Sequence, residues 1–299
     1  MKKALKIGLI VLLVIIIIGF GTITWFSNNI FNEMTDKRVE KNSSLIETYA
    51  DEIDSIETES SDGLKISSWR FKKEDPEGIV IVLHGMDGQD ASSLLDFGKF
   101  FSDNNYETFC LDMRAHGKSE GNKIGFGYTE VKDVKALLDW IVSQPKYENE
   151  EIILYGISMG GATAINTAAE RSEIDKVISV SAFQSTEKTF LDYMRRDGVP
   201  EFVVQSFKPS IRLLISSKYD RSPIKNAPIS KIRQVNNPIL LIHGDQDQQI
   251  LIEQAYNLKE AADQNAELWV VEDKKHMVVT DILSPDNAWY RERILEFID

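Results

Sequence analysis

The chain has 299 residues, with 34 Lys and Arg against 47 Asp and Glu and a formal net charge of −13. Less an apolar leader, that length suits one domain, and the acidic balance disfavours nucleic acid and anionic lipid surfaces as partners. A single cysteine, Cys110, excludes an intrachain disulfide, and no zinc-ligand spacing or Walker or Rossmann phosphate loop occurs.

Residues 7–26 are almost wholly apolar and carry no charge. Twenty residues at about 1.5 Å each span roughly 30 Å, the thickness of a bilayer's hydrocarbon core. Lys2, Lys3 and Lys6 precede the run and favour a cytoplasmic N-terminus. A single-pass anchor over 1–26, with the remaining chain on the extracytoplasmic side of the cell membrane, is the reading favoured here. The alternative is a cleaved secretory signal, with Gly19-Phe20-Gly21 as a weak small-x-small site. Residues 27–50 are polar, carry mixed charge and lack glycine and proline. They read as a helical stalk or a solvated tether ahead of a domain over 51–299.

Residues 54–58 and 64–71, joined at Ser61-Asp62-Gly63, predict an opening β-hairpin. Strands then alternate with helices: strand 79–83, helix 91–104, strand 106–111, helix 129–143, strand 152–157, helix 159–170, strand 176–181. The rhythm resumes with strand 238–243, helix 252–263, strand 267–271 and a last helix over 285–298. Such alternation predicts βαβ units and a parallel sheet. The gap at 183–237 holds amphipathic pieces over 188–194, 200–207 and 211–215, which predict a helical cap. Phe190, Tyr193, Met194, Phe202 and Phe207 are its candidate pocket-lining residues.

The chemistry centres on Gly156-Ile157-Ser158-Met159-Gly160, between an apolar strand and a helix-compatible stretch. That context makes G-x-S-x-G a nucleophile elbow, whose glycines clear room for a crossing backbone. A serine hydroxyl needs a base, and the base needs an acid to hold its tautomer. Of four histidines only His276 lies late in the chain, in a loop after a predicted strand. His84, His116 and His243 are expected to serve structure, with the backbone turns at His84 and His243 mattering more than the rings. Asp245 and Asp247 both follow strand 238–243. Asp247 lies far enough past the glycine turn to reach His276, whereas Asp245 is expected to brace the turn through backbone amides. Ser158, Asp247 and His276 are therefore the candidate catalytic residues. The backbone amides of Met159, after the nucleophile, and Met86, in the loop after strand 79–83, are the candidate oxyanion donors.

The order Ser158, Asp247, His276, with His84-Gly85, Asp112-x-Arg114-x-His116-Gly117-x-Ser119, Gly156-x-Ser158-Met159-Gly160-Gly161 and His243-Gly244-x-x-Asp247, resembles the α/β-hydrolase superfamily. The resemblance is closest to its bacterial serine esterase and lipase-like members, including membrane-anchored ones, and runs from about residue 56 to 299. It implies an α/β-hydrolase fold: a mostly parallel eight-stranded sheet with helices on both faces. It also implies an acyl-serine intermediate, no cofactor, and a small-molecule ester or acyl substrate. Peptidase or acyltransferase chemistry through the same serine, or a catalytically silent binding fold, are the alternatives. The residues leave the natural substrate and the oligomeric state open.

Overall fold

The computed structural model describes residues 2–86 and 88–299. Met1 of the expected anchor and Asp87 of the loop after strand 79–83 lie outside the described residues. In chain order the elements are α1 (Lys2–Thr35), α2 (Leu45–Thr48), β1 (Ile53–Glu59), β2 (Lys65–Phe71), β3 (Ile79–Leu83), α3 (Leu95–Asp103), β4 (Glu107–Leu111), α4 (Val131–Val142) and β5 (Ile152–Ile157). They continue with α5 (Met159–Ala168), β6 (Lys176–Val180), α6 (Thr186–Arg196), α7 (Glu201–Tyr219), α8 (Pro228–Lys231), β7 (Ile239–Gly244), α9 (Ile252–Ala262), β8 (Ala266–Val271) and α10 (Ala288–Ile298).

The eight strands form one sheet in the order β1-β2-β4-β3-β5-β6-β7-β8. The β1–β2 and β2–β4 pairs are antiparallel and all later pairs are parallel. The central strands are continuous apolar runs because both of their faces are covered. Alternation along β3 divides them: Ile79, Ile81 and Leu83 join the core beneath α4, α5 and α9, while Val80 and Val82 join the core beneath α3 and α10. β5 lies in the middle of the sheet, and its C-terminal end carries Ser158.

Two expectations change. Residues 27–50 do not stand off as a stalk. The helix begun in the apolar run continues to Thr35, and Ser27, Phe31 and Thr35, spaced at i, i+4 and i+8, are buried on one face. That face packs along α7. The strand-like strap that follows is tied to the domain by its backbone. Val39 N–H donates to the Ala115 carbonyl (2.9 Å) and Gly117 N–H to the Val39 carbonyl (2.8 Å). Arg38 donates to the carbonyls of Gly117, Ser119 and Gly121 at 2.8–3.0 Å. In the cap, the pieces at 200–207 and 211–215 are one helix, α7, which continues through Pro209.

The N-terminal part of α1 differs in kind. From Leu5 to Phe26 its apolar side chains are largely exposed, and by length and composition the helix is long enough to cross a membrane.

Candidate active site

Three loops at the C-terminal edge of the sheet bring the candidate residues together. Ser158 sits between β5 and α5 with φ 55° and ψ −113°, a conformation unfavourable for a side-chain-bearing residue. Its geometry depends on glycine. A Cβ at Gly156 would overlap the Gly160 backbone, and one at Gly160 would overlap the Leu83 carbonyl. Close crossing of these backbones holds the turn, and the Ser158 N–H donates to the Val180 carbonyl (2.8 Å).

His276 Nδ1–H donates to Asp247 Oδ2 at 2.7 Å, and its Nε2 accepts from the Ser158 hydroxyl at 2.9 Å. The carboxylate fixes the tautomer, leaving the Nε2 lone pair facing the serine. Asp247 is buried. Burial alone would raise its carboxyl, but bonds from the rings of His243 and His276 and from the Ile250 amide outweigh it. They hold the group well below the ordinary carboxylate range. Its second oxygen accepts from the amides of Gln249 (2.8 Å) and Ile250 (2.9 Å). The bracing expected of Asp245 therefore belongs to Asp247. Asp245, in the turn itself, is exposed.

The His276 loop crosses β7 at Gly244, where a Cβ would overlap the Lys274 carbonyl. Ser181, in the left-handed region at φ 51°, donates its hydroxyl to the His276 carbonyl at 2.7 Å. Nothing in the local sequence singles out Ser181. It acts from the end of β6, the strand beside β5.

Met86 and Met159 both line the cavity that holds Ser158 and His276. Met159 opens α5, so its N–H has no partner in the preceding turn. The loop carrying Met86 is held by side chains. His84 Nδ1–H donates to the Gly85 carbonyl (2.7 Å), while its Nε2 accepts from the Met113 amide (3.0 Å). A trans peptide carries its C=O and N–H on opposite sides, so the Met86 N–H points away from the His84 ring. Both ring nitrogens of His116 face carbonyl oxygens, Nδ1 that of Arg114 (2.9 Å) and Nε2 that of Met86 (2.8 Å), and Gln89 Oε1 accepts from the Gly85 amide (2.9 Å). The His84 and His116 rings thus set the loop: both serve structure, as expected, but for His84 it is the ring and not only the backbone turn that matters. Burial and the neighbouring His116 push His84 down to about 3, which keeps it neutral at physiological pH. His243 Nε2–H donates to the Ile250 carbonyl (2.8 Å) and lies 3.3 Å from Asp247 Oδ2.

The cavity measures about 210 Å³. Phe190 and Tyr193 line it, as expected. Met194, Phe202 and Phe207 do not: Met194 packs on the core, Phe202 is exposed and Phe207 meets Phe26 edge-on. Met34 of α1, Phe126, Phe183, Ile250 and Met277 complete the apolar lining. None of the described lining residues carries a charged side chain other than the titratable His276. The arrangement places a serine hydroxyl on an imidazole whose other nitrogen meets a buried carboxylate, beside a largely apolar pocket lined by Met86 and Met159. That is a set suited to acyl transfer.

A family model described as serine aminopeptidase, S33, matches residues 74–231, just over half the chain. The alpha/beta hydrolase domain-containing protein WAV2 of Arabidopsis thaliana is 26% identical over 253 residues, covering 81% of this chain and 77% of that protein. The uncharacterized protein YqkD of Bacillus subtilis is 24% identical over 240 residues, covering 79% and 76%. Among solved structures, an esterase of Pyrococcus furiosus superposes with a TM-score of 0.70 at 26% identity, covering 89% of this chain and 97% of that one.

Proposed function

The chain belongs to the serine aminopeptidase S33 family and has the α/β-hydrolase fold; from that membership we propose that it is a hydrolase cleaving carboxylic esters through an acyl-serine intermediate. In this reading the Ser158 hydroxyl attacks the ester carbonyl while His276 Nε2 takes its proton. Asp247 stabilises the imidazolium that results. The amides of Met86 and Met159 hold the oxyanion, each contributing about 3–4 kcal/mol of barrier lowering. Collapse expels the alcohol, protonated by His276. Water, activated by the same ring, then releases the acid and restores Ser158.

The observation that carries this reading is the continuous hydrogen-bond chain from the Ser158 hydroxyl through His276 to the buried Asp247. The character of the cavity favours esters over N-terminal peptide bonds. An aminopeptidase needs a carboxylate to pair with the substrate's ammonium group, and no described residue lining the cavity is Asp or Glu. The similar Pyrococcus furiosus protein, an esterase, agrees with that preference.

We read α1 as a membrane anchor with the catalytic domain outside the cytoplasm. Support comes from the unbroken exposed apolar surface to Phe26 and from the lysines at 3 and 6 that precede it. A mature protein beginning at Met1 and extracted only by detergent is the expected result.

The deciding experiment treats the full-length protein with a fluorophosphonate probe and maps the modified residue by mass spectrometry. Labelling of Ser158, with short p-nitrophenyl esters turned over by the wild type and not by Ser158→Ala, is the expected outcome. Undiminished turnover by that variant defeats the mechanism.

A further inference from the structure

The helix that carries the exposed apolar run also builds the candidate active site. Met34, near its C-terminal end, lines the same cavity as Ser158 and His276. One turn earlier, Phe31 is fully buried and stacks on Phe190, with ring centroids 4.4 Å apart and planes 2° from parallel. It meets Phe126 edge-on at 5.8 Å. Phe190 and Phe126 both line the cavity, so α1 supplies one lining residue and backs two more.

This end of the helix is fixed from several sides. Lys218 donates to Asn32 Oδ1 (2.5 Å) and the Ile124 amide to the Thr35 carbonyl (2.9 Å). The Arg38 contacts to three carbonyls follow directly. A wall held this way does not swing aside at low cost. At about 210 Å³ the space lies below the roughly 300–1,000 Å³ typical of sites that engulf a drug-sized ligand.

We infer that Met34 is a specificity-determining residue: the juxtamembrane end of α1 is a wall of the ester pocket and restricts this chain to esters whose apolar arm is short. The inference rests on the ester reading above and extends it to substrate class. The shared chemistry is a short uncharged hydrocarbon arm, which belongs either to the acyl group or to the alcohol. Methionine suits such a wall, being unbranched and apolar. Trimming it to alanine opens room for added methylenes, and widening it to tryptophan removes room.

The test uses full-length protein in detergent and two ester series. One lengthens the acyl chain from acetyl to decanoyl on p-nitrophenol; the other lengthens the alcohol on a fixed acetyl group. In one of the two series, Met34→Ala raises the ratio of kcat/KM for eight carbons over that for four by about tenfold. Met34→Trp lowers the same ratio, and the volume-conserving Met34→Leu leaves it near the wild-type value. The series that responds identifies the arm. Labelling rates with alkyl fluorophosphonates of graded length read the same pocket without turnover, so a variant slow in catalysis still reports. Ratios within twofold of wild type for both Met34→Ala and Met34→Trp, in both series and in labelling, overturn the inference and leave the ester reading intact. A wild type that neither cleaves esters nor labels at Ser158 overturns both.

Discussion

The Ser181 hydroxyl donates to the carbonyl oxygen of His276 at 2.7 Å, joining the end of β6 to the loop that carries the candidate base. Ser181 touches neither Ser158 Oγ nor the cavity, so its effect passes through the position of the imidazole. Ser181→Ala leaves a buried carbonyl without that donor, a cost of about 1–3 kcal/mol. We expect kcat to fall about tenfold with KM nearly unchanged, and fluorophosphonate labelling to slow by the same factor, consistent with a misplaced base. Equal kcat in the variant and wild type counts against this role.

Asp247→Asn keeps the shape of the side chain and removes the charge that selects the His276 tautomer. A loss of kcat of about 10⁴-fold is expected. Stability gives an independent reading. The folded-state carboxyl sits below its unfolded value, so its contribution is present above about pH 4 and disappears as pH falls toward the folded value. Urea unfolding from pH 5 down to pH 2 should therefore show a shallower acid loss in the variant than in the wild type.

Asp112 lies at the other extreme. Its oxygens accept from the amides of Ala91 (2.8 Å) and Lys118 (2.9 Å), yet burial dominates and pushes the carboxyl up to about 7. Between about pH 4 and 7 the folded protein holds a proton that the unfolded chain has released, so this group lowers stability as pH rises. Removing the titration in Asp112→Asn should make the slope of unfolding free energy against pH more positive. The change is about 1.4 kcal/mol per pH unit over that window. Parallel curves for variant and wild type refute the assignment.

Glycine substitutions test the crossings that aim the nucleophile and the base. Gly160→Ala drives a methyl into the Leu83 carbonyl, and Gly244→Ala drives one into the Lys274 carbonyl. Backbone cannot yield as a flexible side chain does. Each variant should lose about 3 kcal/mol, read as a lowered thermal midpoint, together with ester activity. Gly198→Ala, where φ is +79° but nothing lies within 4 Å, is the control for backbone strain without a clash.

The sheet was legible because its central strands are uninterrupted apolar runs bounded by turns, and the elbow because its glycines answer a steric demand that sequence spacing records. Ser158, Asp247 and His276 were readable for the same reason: each follows a strand that ends at one edge of the sheet. The role of residues 27–35 was not. Phe31 stands past the apolar run among asparagines and a glutamate, and nothing in that polar stretch marks Ser27, Phe31 and Thr35 as a face meeting the domain. Phe190 and Phe207 look alike in sequence. Their fates depend on how α6 and α7 cross, which is a matter of tertiary packing. The ring contacts of His84 and His116 bridge residues about thirty positions apart, beyond any local pattern.

Phe26 closes the exposed apolar stretch and Met34 opens onto the cavity eight positions later (26 to 34) on the same unbroken helix, a rise of about 12 Å. On the anchor reading proposed above, the helix acts as a gauge that sets Ser158 at a constant height over the bilayer surface. Bonds held at the level of lipid headgroups or in molecules skimming the leaflet come within range. Those buried in the hydrocarbon, or projecting far into the aqueous space, do not.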